Sequence, residues 1–372
     1  VTIPSLIPDT GHNSYARFPT PYQGVGARGV NNLASKLLLA LLPPNAPFFR
    51  LQVDDFTLEE LAGNEDMRAS VEESLNKIER SIMTEMETDG LRSPMFEALK
   101  HLIVAGNVCL YLPKDGGSRV FPLSRYVVKR DPMGEVLTVI IKEEVAASSL
   151  PDDILMSMDP AIQRDKDDPV AVYTKMYREG NKYKMYQQID NNIIEGTEAT
   201  YPLDKSPILA LRWTAIDGEN FGRSYCDEYL GDLISLEGLS KAILEASAAA
   251  AKILFMVNPN GTTRAKDLAQ AENGDIISGN SAEVTVLQSQ KQADMGIAQQ
   301  TASTVTQRLA QAFLMNTSVQ RQGERVTAEE IRFMAGELED ALGGVYSILS
   351  QEFQLPLVSR IMDRMTKAKR IP

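Results

Sequence analysis

Apolar residues recur every three or four positions over several long stretches of this chain, a spacing that places them on one face of an α-helix. The spacing predicts helices over Gly24–Leu42, Asp66–Thr88, Pro94–Ala105, Asp227–Met256 and Ala293–Met315. A longer helix is predicted from Thr327 to Pro356, with its apolar face at Ile331, Met334, Leu338, Leu342, Val345, Leu349 and Phe353. The chain is therefore expected to be mainly helical.

Between these helices the apolar period changes to two, which is typical of half-buried strands. It predicts strands at Val108–Leu112, Arg125–Arg130, Val136–Lys142, Val170–Tyr177, Lys182–Ile189, Asp275–Ser278 and Val284–Leu287. Tight turns are expected at Asp131–Gly134 and Glu179–Asn181, where glycine stands beside polar residues. The acidic segment Ser148–Asp168 is expected to form a helix with mobile edges. Together the two periods predict an α+β fold.

An eleven-residue polar loop, Asn316–Val326, separates the last two predicted helices. Connections between packed helices usually have about 2–8 residues, so a loop of this length is expected to be functional or disordered. Thr327 and Glu330 have the spacing of a capping box, in which each side chain satisfies a free backbone amide at the other's position. Gly343-Gly344 interrupts the following helix. Two adjacent glycines cost about 2 kcal/mol relative to alanine, which predicts a kink or a close crossing there.

The composition is that of a globular protein with two or more domains. The chain has 372 residues, of which 43% are hydrophobic, and a formal net charge of −12. Proteins that hold nucleic acid by neutralising phosphates carry clusters of lysine and arginine. The negative charge therefore argues against tight nucleic-acid binding and favours solubility.

The N-terminus, the longest apolar run and the cysteines indicate the compartment in which the protein is expected to lie. The chain opens at Val1 without the basic and then apolar start of a signal peptide, so it is expected to be a fragment of a longer protein or its ordered part. The longest apolar run, Leu37–Leu42, is too short to span a bilayer. Cys109 and Cys226 are expected to be reduced thiols in a cytoplasmic setting.

The surrounding sequence argues against each candidate catalytic or cofactor-binding motif. Gly24–Gly29 matches G-x-G-x-x-G before a helix, as in a dinucleotide-binding turn, but Pro19 and Pro21 exclude the central strand that should lead into it. A helix-start turn with close packing is the preferred interpretation. His12 lies in a Gly/Asn/Ser-rich segment and His101 among the leucines of a predicted helix, so both are expected to be structural. The chain lacks zinc-ligand spacings and phosphate-binding motifs, so neither metal, cofactor nor enzymatic activity is predicted.

The predicted loop contains the one locally distinctive polar set, which is Gln320, Arg321, Gln322, Gly323, Glu324 and Arg325. One interpretation is a solvated connection between helices. The other is the lining of a passage for a polyanion, where Arg321 and Arg325 give weak, salt-screened attraction rather than a binding site. Gly323 keeps such a loop deformable. From the residues alone, both interpretations stay open.

Several segments of the chain are distinctive in sequence. They are GVGARGVNNLASKLLLALLP (Gly24–Pro43), FEALKHLIVAGNVCLYLP (Phe96–Pro113), DGENFGRSYCDEYLGDLISLEGL (Asp217–Leu239) and NTSVQRQGERVTAEEIRFMAGELEDALGGVYSILSQEFQLPL (Asn316–Leu357). In these segments, and over nearly its whole length, the chain resembles the portal, or head-to-tail connector, proteins of short-tailed double-stranded DNA bacteriophages. The resemblance implies the portal fold and a dodecameric ring at one capsid vertex around a central DNA channel.

The resemblance also divides the chain into a wing, two stem helices, a clip, a channel loop and a long wing helix. In chain order these are Val1–Ser224 (mixed α/β wing), Tyr225–Met256 (stem), Val257–Gln292 (clip), Ala293–Met315 (stem), Asn316–Val326 (channel loop) and 327–372 (long kinked wing helix). The helical crown that follows in the family is expected to be absent from this chain.

The partners that the resemblance implies are further copies of the chain, double-stranded DNA in the channel, the terminase packaging motor, tail adaptor proteins, and capsid and scaffolding or internal core proteins, with no membrane. The expected location is the portal vertex of the virion, after assembly in the host cytoplasm. Two alternatives come from other classes. One is a nucleotide-dependent enzyme that uses the loop at Gly24, and the other is a non-viral helical scaffold protein.

Overall fold

The computed structural model describes residues 20–44, 47–53, 65–146, 150, 169–189, 192–250, 254–287, 292–315, 336, 338 and 342–371. The chain divides into two compact units. The first contains Arg28–Leu230 and Phe313–Pro372, and the second contains Pro19–Ala27 and Gly231–Ala312.

Helices make up much of the described chain, which confirms the α+β, mainly helical prediction. They are α1 (Val25–Leu41), α2 (Glu65–Thr88), α3 (Arg92–Ala105), α4 (Tyr225–Glu228), α5 (Leu230–Ala250), α6 (Ala265–Gln270), α7 (Gln292–Ala312), α8 (Val345–Leu349) and α9 (Leu355–Lys367), with a π-helical segment, Ser350–Gln354, between the last two. The bounds of α1, α2 and α3 lie within two residues of the prediction. Their start and stop signals are local. For example, Gly106 ends α3 with a left-handed φ of 70°.

The strands are β1 (Asn107–Tyr111), β2 (Arg119–Pro122), β3 (Tyr126–Arg130), β4 (Val136–Ala146), β5 (Pro169–Glu179), β6 (Lys182–Ile189), β7 (Asn192–Ile193), β8 (Ala199–Pro202), β9 (Ile208–Arg212), β10 (Leu254–Val257) and β11 (Val284–Leu287). The two predicted hairpins, β3–β4 and β5–β6, are confirmed. Their turns use glycines with positive φ, 86° at Gly134 and 60° at Gly180.

Two antiparallel sheets form the β part of the first unit. One has the strand order β2-β1-β9, and the other has the order β3-β4-β5-β6-β7 with β8 also paired to β6. The sheets share a hydrophobic core that includes Cys109 and Ala210 from the first and Val139, Ile141 and Met176 from the second. This core contains Ile208 as well as Ala210, so it holds β9, the strand that ends at Arg212.

Some predicted strands and helix ends are wrong. The predicted helix Asp227–Met256 stops earlier, because Leu254–Val257 forms β10 and pairs with β11. Asp275–Ser278 is irregular rather than a strand. Sequence reasoning missed β9 because all five of its residues are buried and its apolar run has no alternation.

The predicted long helix is also corrected. Residues 336, 338 and 342 are helical, but the helix is interrupted at Gly343, begins again at Val345 and continues past Pro356 to Lys367. Pro356 does not end it because the proline lies in the first turn of α9, where its missing N–H leaves no helical bond unmade. Of the predicted helix Ser148–Asp168, only Leu150 is described, and it packs against the cluster of Val170, Val172 and Ile189.

The second unit consists of α5 and α7, with the β10–β11 hairpin and α6 between them in the chain. Arg308 of α7 donates to the Asp232 carboxylate of α5 at 2.7 Å. The two long helices and the small β excursion between them follow the predicted order, with the excursion starting earlier than expected.

Candidate functional site

The predicted channel-loop residues Gln320–Arg325 and the predicted cap residues Thr327 and Glu330 lie outside the described residues. The structure does describe both flanks of this stretch. Phe313–Met315 lie directly before it, and the helical chain from Leu342 follows it. Phe313–Met315 hold the start of the predicted loop, and the chain from Leu342 belongs to the long helix predicted after it. These two described segments, called the first and second flank, form the candidate functional site.

Phe313 anchors the first flank. Its side chain is fully buried, and its ring centroid lies 5.6 Å from that of Tyr225 and 6.0 Å from that of Tyr229. Helix α1 passes beside it at Gly29, where a Cβ atom would lie 2.6 Å from Phe313 Cγ. Gly29 is the last glycine of the G-x-G-x-x-G pattern, so that glycine serves the packing of α1 against this anchor.

Two side chains of α1 hold the backbone after the anchor. The Asn32 side-chain amide donates to the carbonyl oxygens of Phe313 (2.9 Å) and Leu314 (3.0 Å). The Lys36 ammonium donates to the Leu314 carbonyl oxygen at 3.0 Å. Leu314 has a φ of 53°, a left-handed conformation that is uncommon for residues other than glycine. These hydrogen bonds fix the direction in which the chain leaves Leu314 toward the predicted loop.

Gly343-Gly344 forms the second flank. Gly343 has a φ of 56°, which side-chain-bearing residues rarely adopt. Gly344 has a φ of −51° and directly precedes Val345, the first residue of α8. The helix is therefore broken at the pair.

Further along, the helix passes through one π turn, Ser350–Gln354. The turn closes with the Leu355 N–H bonded to the Ser350 carbonyl, five residues back. In an α-helical register, Pro356 could not donate to the Glu352 carbonyl and its ring would clash with that carbonyl. The wider turn removes the conflict, so the proline explains where the π turn lies.

The π turn presents Glu352 to the edge of β9. The Glu352 carboxylate accepts hydrogen bonds from three atoms of Arg212: the backbone N at 3.2 Å, Nε at 3.1 Å and Nη2 at 2.5 Å. Arg212 ends β9 and is only 7% exposed. Its N–H faces away from β1 and needs another acceptor, because a buried unpaired amide is costly. One carboxylate therefore neutralises a buried guanidinium and closes a strand edge.

A second guanidinium, that of Arg130 in β3, lies on the same edge. It donates to the carbonyl oxygens of Ala210 (2.6 Å), Gly134 (2.8 Å) and Asn220 (3.2 Å). Burial lowers the pKa of Arg130 and the Arg212 charge lowers it further, whereas Glu352 raises it. Glu352 thus offsets the repulsion between the buried Arg212 and the partly buried Arg130.

The glycine-rich turn before α1 has its own side-chain caps. Gln23 Oε1 accepts hydrogen bonds from the backbone N of Val25 (2.7 Å) and of Gly26 (3.2 Å). The Glu237 carboxylate accepts from the backbone N of Tyr22 (2.8 Å) and of Gln23 (3.2 Å). A bound pyrophosphate would need such amides and would be repelled by the carboxylate. These contacts favour the helix-start interpretation of the turn.

The other candidate chemical groups are placed among structural contacts. Burial lowers the pKa of His101 against the opposing effect of Glu97, and His12 lies outside the described residues. Cys109 and Cys226 are free thiols, and burial raises the pKa of both, that of Cys226 to about 11. The described ranges contain no group of three or more His, Cys, Asp and Glu side chains that could hold a metal ion. Within the same part of the chain, no helix has the length and apolar character needed to cross a membrane.

Sequence reasoning missed the side chains that hold the flanks, because they act between elements far apart in the chain. One signal for the π turn was present. Buried residues of the last helix recur at steps of four, at Val345, Leu349, Phe353, Leu357, Ile361 and Met365. A step of four overshoots an α-helical turn by about 40°. Such a run drifts around an α-helix, and the π turn between Leu349 and Leu357 reduces the drift.

Comparison with known proteins gives matches along almost the whole chain. Residues 5–372 match the family described as "Bacteriophage head to tail connecting protein". The chain is 45% identical over 378 residues to the portal protein of Enterobacteria phage T3 and 43% identical over 379 residues to that of Escherichia phage T7. Each alignment covers 100% of this chain and 70% of the relative. Among solved structures, a chain in the neck of an empty GTA particle, computed with C6 symmetry, is 11% identical with a TM-score of 0.46, over 91% of this chain and 78% of that chain.

Proposed function

This chain belongs to the family of bacteriophage head to tail connecting proteins, and from that premise we propose that it is the portal of a short-tailed phage. In this role, copies of the chain form a dodecameric ring at one capsid vertex, and the genome is packaged and ejected through its channel. The observation that carries the proposal is the match itself, which spans residues 5–372. Identities of 45% and 43% to two phage portal proteins support it.

Apolar surface on the second unit also supports a ring. Ile234 and Leu244 of α5 are 57% and 62% exposed, and Ile297 of α7 is 66% exposed. Large apolar side chains that are exposed together commonly mark an interface. A cyclic assembly would cover them without leaving an open end.

We assign the portal regions to the elements of the fold. The wing is the mixed α/β part that ends near Ser224, and α5 and α7 are the stem helices. The clip lies between them and starts with β10 at Leu254, a few residues before the boundary expected from the sequence. The channel loop remains Asn316–Val326, and α8 and α9 belong to the long wing helix.

DNA is proposed to pass through the channel without tight binding. The net charge of −12 supports this, because a surface that neutralised phosphates would hold DNA and slow its passage. Within the channel loop, Gln320–Arg325, we propose that Arg321 and Arg325 form a sparse basic element near the constriction. Their attraction to phosphate would be weak and screened by salt.

The proposed partners are the terminase packaging motor and then tail adaptor proteins at the clip, together with capsid and scaffolding or internal core proteins. The proposed location is the portal vertex of the virion, after assembly in the host cytoplasm. The role is structural rather than enzymatic. The contacts of Gln23 and Glu237 at the glycine-rich turn support this view over the dinucleotide alternative.

Electron microscopy of the purified protein, combined with native mass spectrometry, tests the proposal. We expect rings with a central hole and a mass that matches a dodecamer of the 41.0 kDa chain. Monomers without rings would contradict the portal function. Oligomers that lack a central hole would favour the helical scaffold alternative.

A further inference from the structure

We infer that Glu352 is a positioning residue, whose contact with the edge of β9 sets the rotational register of α8. Helix α8 joins the π turn to the Gly343-Gly344 break, and the predicted channel loop, Asn316–Val326, lies further toward the N-terminus, directly before the same predicted long helix. The role of α8 in the DNA channel rests on the proposed portal function. How α8 is held follows from the contacts alone.

Helix α8 cannot orient itself. It has five residues, Val345–Leu349, and helices this short are unstable without outside contacts. It lies between two interruptions of the helical hydrogen bonding, the left-handed Gly343 on one side and the π turn on the other. Contacts with the rest of the first unit must therefore hold it.

The contacts that hold it come from β9 and α1. Gln354, which is 7% exposed, donates from Nε2 to the Leu41 carbonyl oxygen at 2.8 Å. The Tyr346 hydroxyl donates to the Ala40 carbonyl oxygen at 3.5 Å. Glu352 makes the most hydrogen bonds of the three residues, because its carboxylate accepts from three donors of Arg212. Hydrogen bonds to ionised groups are about twice as strong as neutral ones, so Glu352 is the strongest of these polar contacts, which add to the burial of Val345 and Leu349.

The π turn makes the register of α8 depend on this contact. A π turn contains one residue more than an α-helical turn. If it relaxed to α geometry, α8 would rotate by about 100° and shift by about 1.5 Å relative to α9. The Glu352 carbonyl opposes this because Pro356 would clash with it. The Glu352 side chain opposes it because it reaches Arg212 from the π turn.

Glutamine at position 352 keeps the size of the side chain but removes its charge, which leaves the Arg212 and Arg130 guanidiniums without their shared counter-charge. Hydrogen–deuterium exchange of the assembled full-length protein measures the effect on α8. In Glu352→Gln we expect the Val345–Leu349 amides to exchange about tenfold faster or more, since charged hydrogen bonds of this kind stabilise local structure by that factor.

Arg364→Gln is the matched control. Arg364 of α9 is largely shielded, with its side chain 11% exposed, and it bonds Glu85 of α2 (3.3 Å) and Asp89 just after α2, on the far side of the π turn. This variant should speed exchange in α9 and α2 and leave α8 within about twofold of the wild type. Equal acceleration of α8 in both variants, or none in Glu352→Gln, would overturn the inference.

Arg212→Lys is the second variant, which keeps the positive charge and the backbone donor but removes the guanidinium. If Glu352→Gln gives no folded protein, Arg212→Lys should still speed exchange of Val345–Leu349 by about threefold or more. An unchanged α8 in that variant would also refute the inference.

DNA retention by phage particles assembled with each variant tests whether the register of α8 affects the channel. We expect Glu352→Gln rings to form normally but their particles to lose DNA on heating, whereas Arg364→Gln particles retain it. Normal retention despite faster α8 exchange would overturn the link to the channel. Absence of rings in the wild type would instead refute the proposed function and leave the exchange result standing.

Discussion

Gly29 and Asn32 stand one turn apart on α1, and each meets a different need of the chain at Phe313. Gly29 has no side chain, so α1 can pass against the buried ring. Asn32 supplies donors to the carbonyls of Phe313 and Leu314 at the end of a helix, where intrahelical donors run out. One requirement is steric and the other polar, and they can be tested separately.

Replacing Gly29 with alanine should destabilise the protein. The added methyl would lie 2.6 Å from Phe313 Cγ, and overpacking of this kind costs about 1–3 kcal/mol. Urea denaturation measures the change. Gly24→Ala is the control within the same glycine-rich turn, because nothing lies within 4 Å of its added Cβ. Equal stability of the two variants would show that α1 does not pack closely on Phe313.

Replacing Asn32 with alanine should cost about 1–3 kcal/mol, since it removes two hydrogen bonds to part-buried carbonyls, of which that of Leu314 keeps the Lys36 ammonium. The neighbouring Asn31→Ala is the control, because Asn31 is exposed. Thermal and urea unfolding of both variants provide the comparison. A loss in Asn31→Ala as large as that in Asn32→Ala would point to helix propensity rather than to the carbonyl contacts.

At the scale of elements, ion pairs as well as apolar contacts join α9 to α2. Arg364 contacts both Glu85 and Asp89, and Arg370 contacts Glu85 at 2.6 Å. The Arg364, Glu85 and Asp89 side chains are 11%, 16% and 11% exposed. Water screens such pairs little, so removing Arg364 takes this partner from the shielded Asp89 carboxylate, whereas Glu85 keeps Arg370.

Arg364→Gln should therefore lower the free energy of unfolding by about 3 kcal/mol. The exposed pair of Arg68 and Glu72 gives the contrast, because its side chains are 55% and 57% exposed. Arg68→Gln should change stability by about 0.5 kcal/mol or less. Denaturation at low and high salt checks both. A strong salt dependence of the Arg364→Gln effect would contradict the view that the pair is shielded from solvent.

The elements also show where a sequence pattern is enough to predict a helix or strand. Helices α1, α2 and α3 match the prediction closely, because an apolar face and a stop signal such as Gly106 are encoded within the segment itself. β10 was predicted to be helical because its partner, β11, lies far along the chain and leaves no local sign. β9 was missed for a related reason, since a strand buried on both faces shows no alternation.

At the scale of the whole molecule, assembly should depend on the exposed apolar side chains of the second unit. Leu244→Ser should lower the fraction of chains in rings while leaving the unfolding of the isolated chain within about 0.5 kcal/mol. Met133→Ser is the control, because Met133 is 88% exposed on a turn of the first unit. Native mass spectrometry compares the two. Equal ring formation in both variants would show that Leu244 does not lie in the interface.

The second prediction at this scale concerns the effect of the loop arginines on the passage of DNA. Reversing both loop charges, by Arg321→Glu and Arg325→Glu, should alter packaging or retention of DNA, because it turns weak attraction for phosphate into repulsion. Lys182→Glu with Lys184→Glu on β6 makes the same change in net charge on exposed residues of the wing. Packaged genome length and leakage are the measurements. Unchanged length without leakage in the loop variant would contradict a role for these arginines.

The sequence by itself determined the family, the fold class, the main helices and the helix break at Gly343-Gly344. The helices and the break depend on signals within one segment, such as apolar spacing and glycines, and the family match spans residues 5–372. Only the tertiary structure decided that Asn32 and Lys36 hold the chain at Leu314, and that Glu352 closes the edge of β9 from a π turn. Those contacts join residues more than a hundred positions apart. A charge or a carbonyl finds its partner through packing, so no local pattern can specify it.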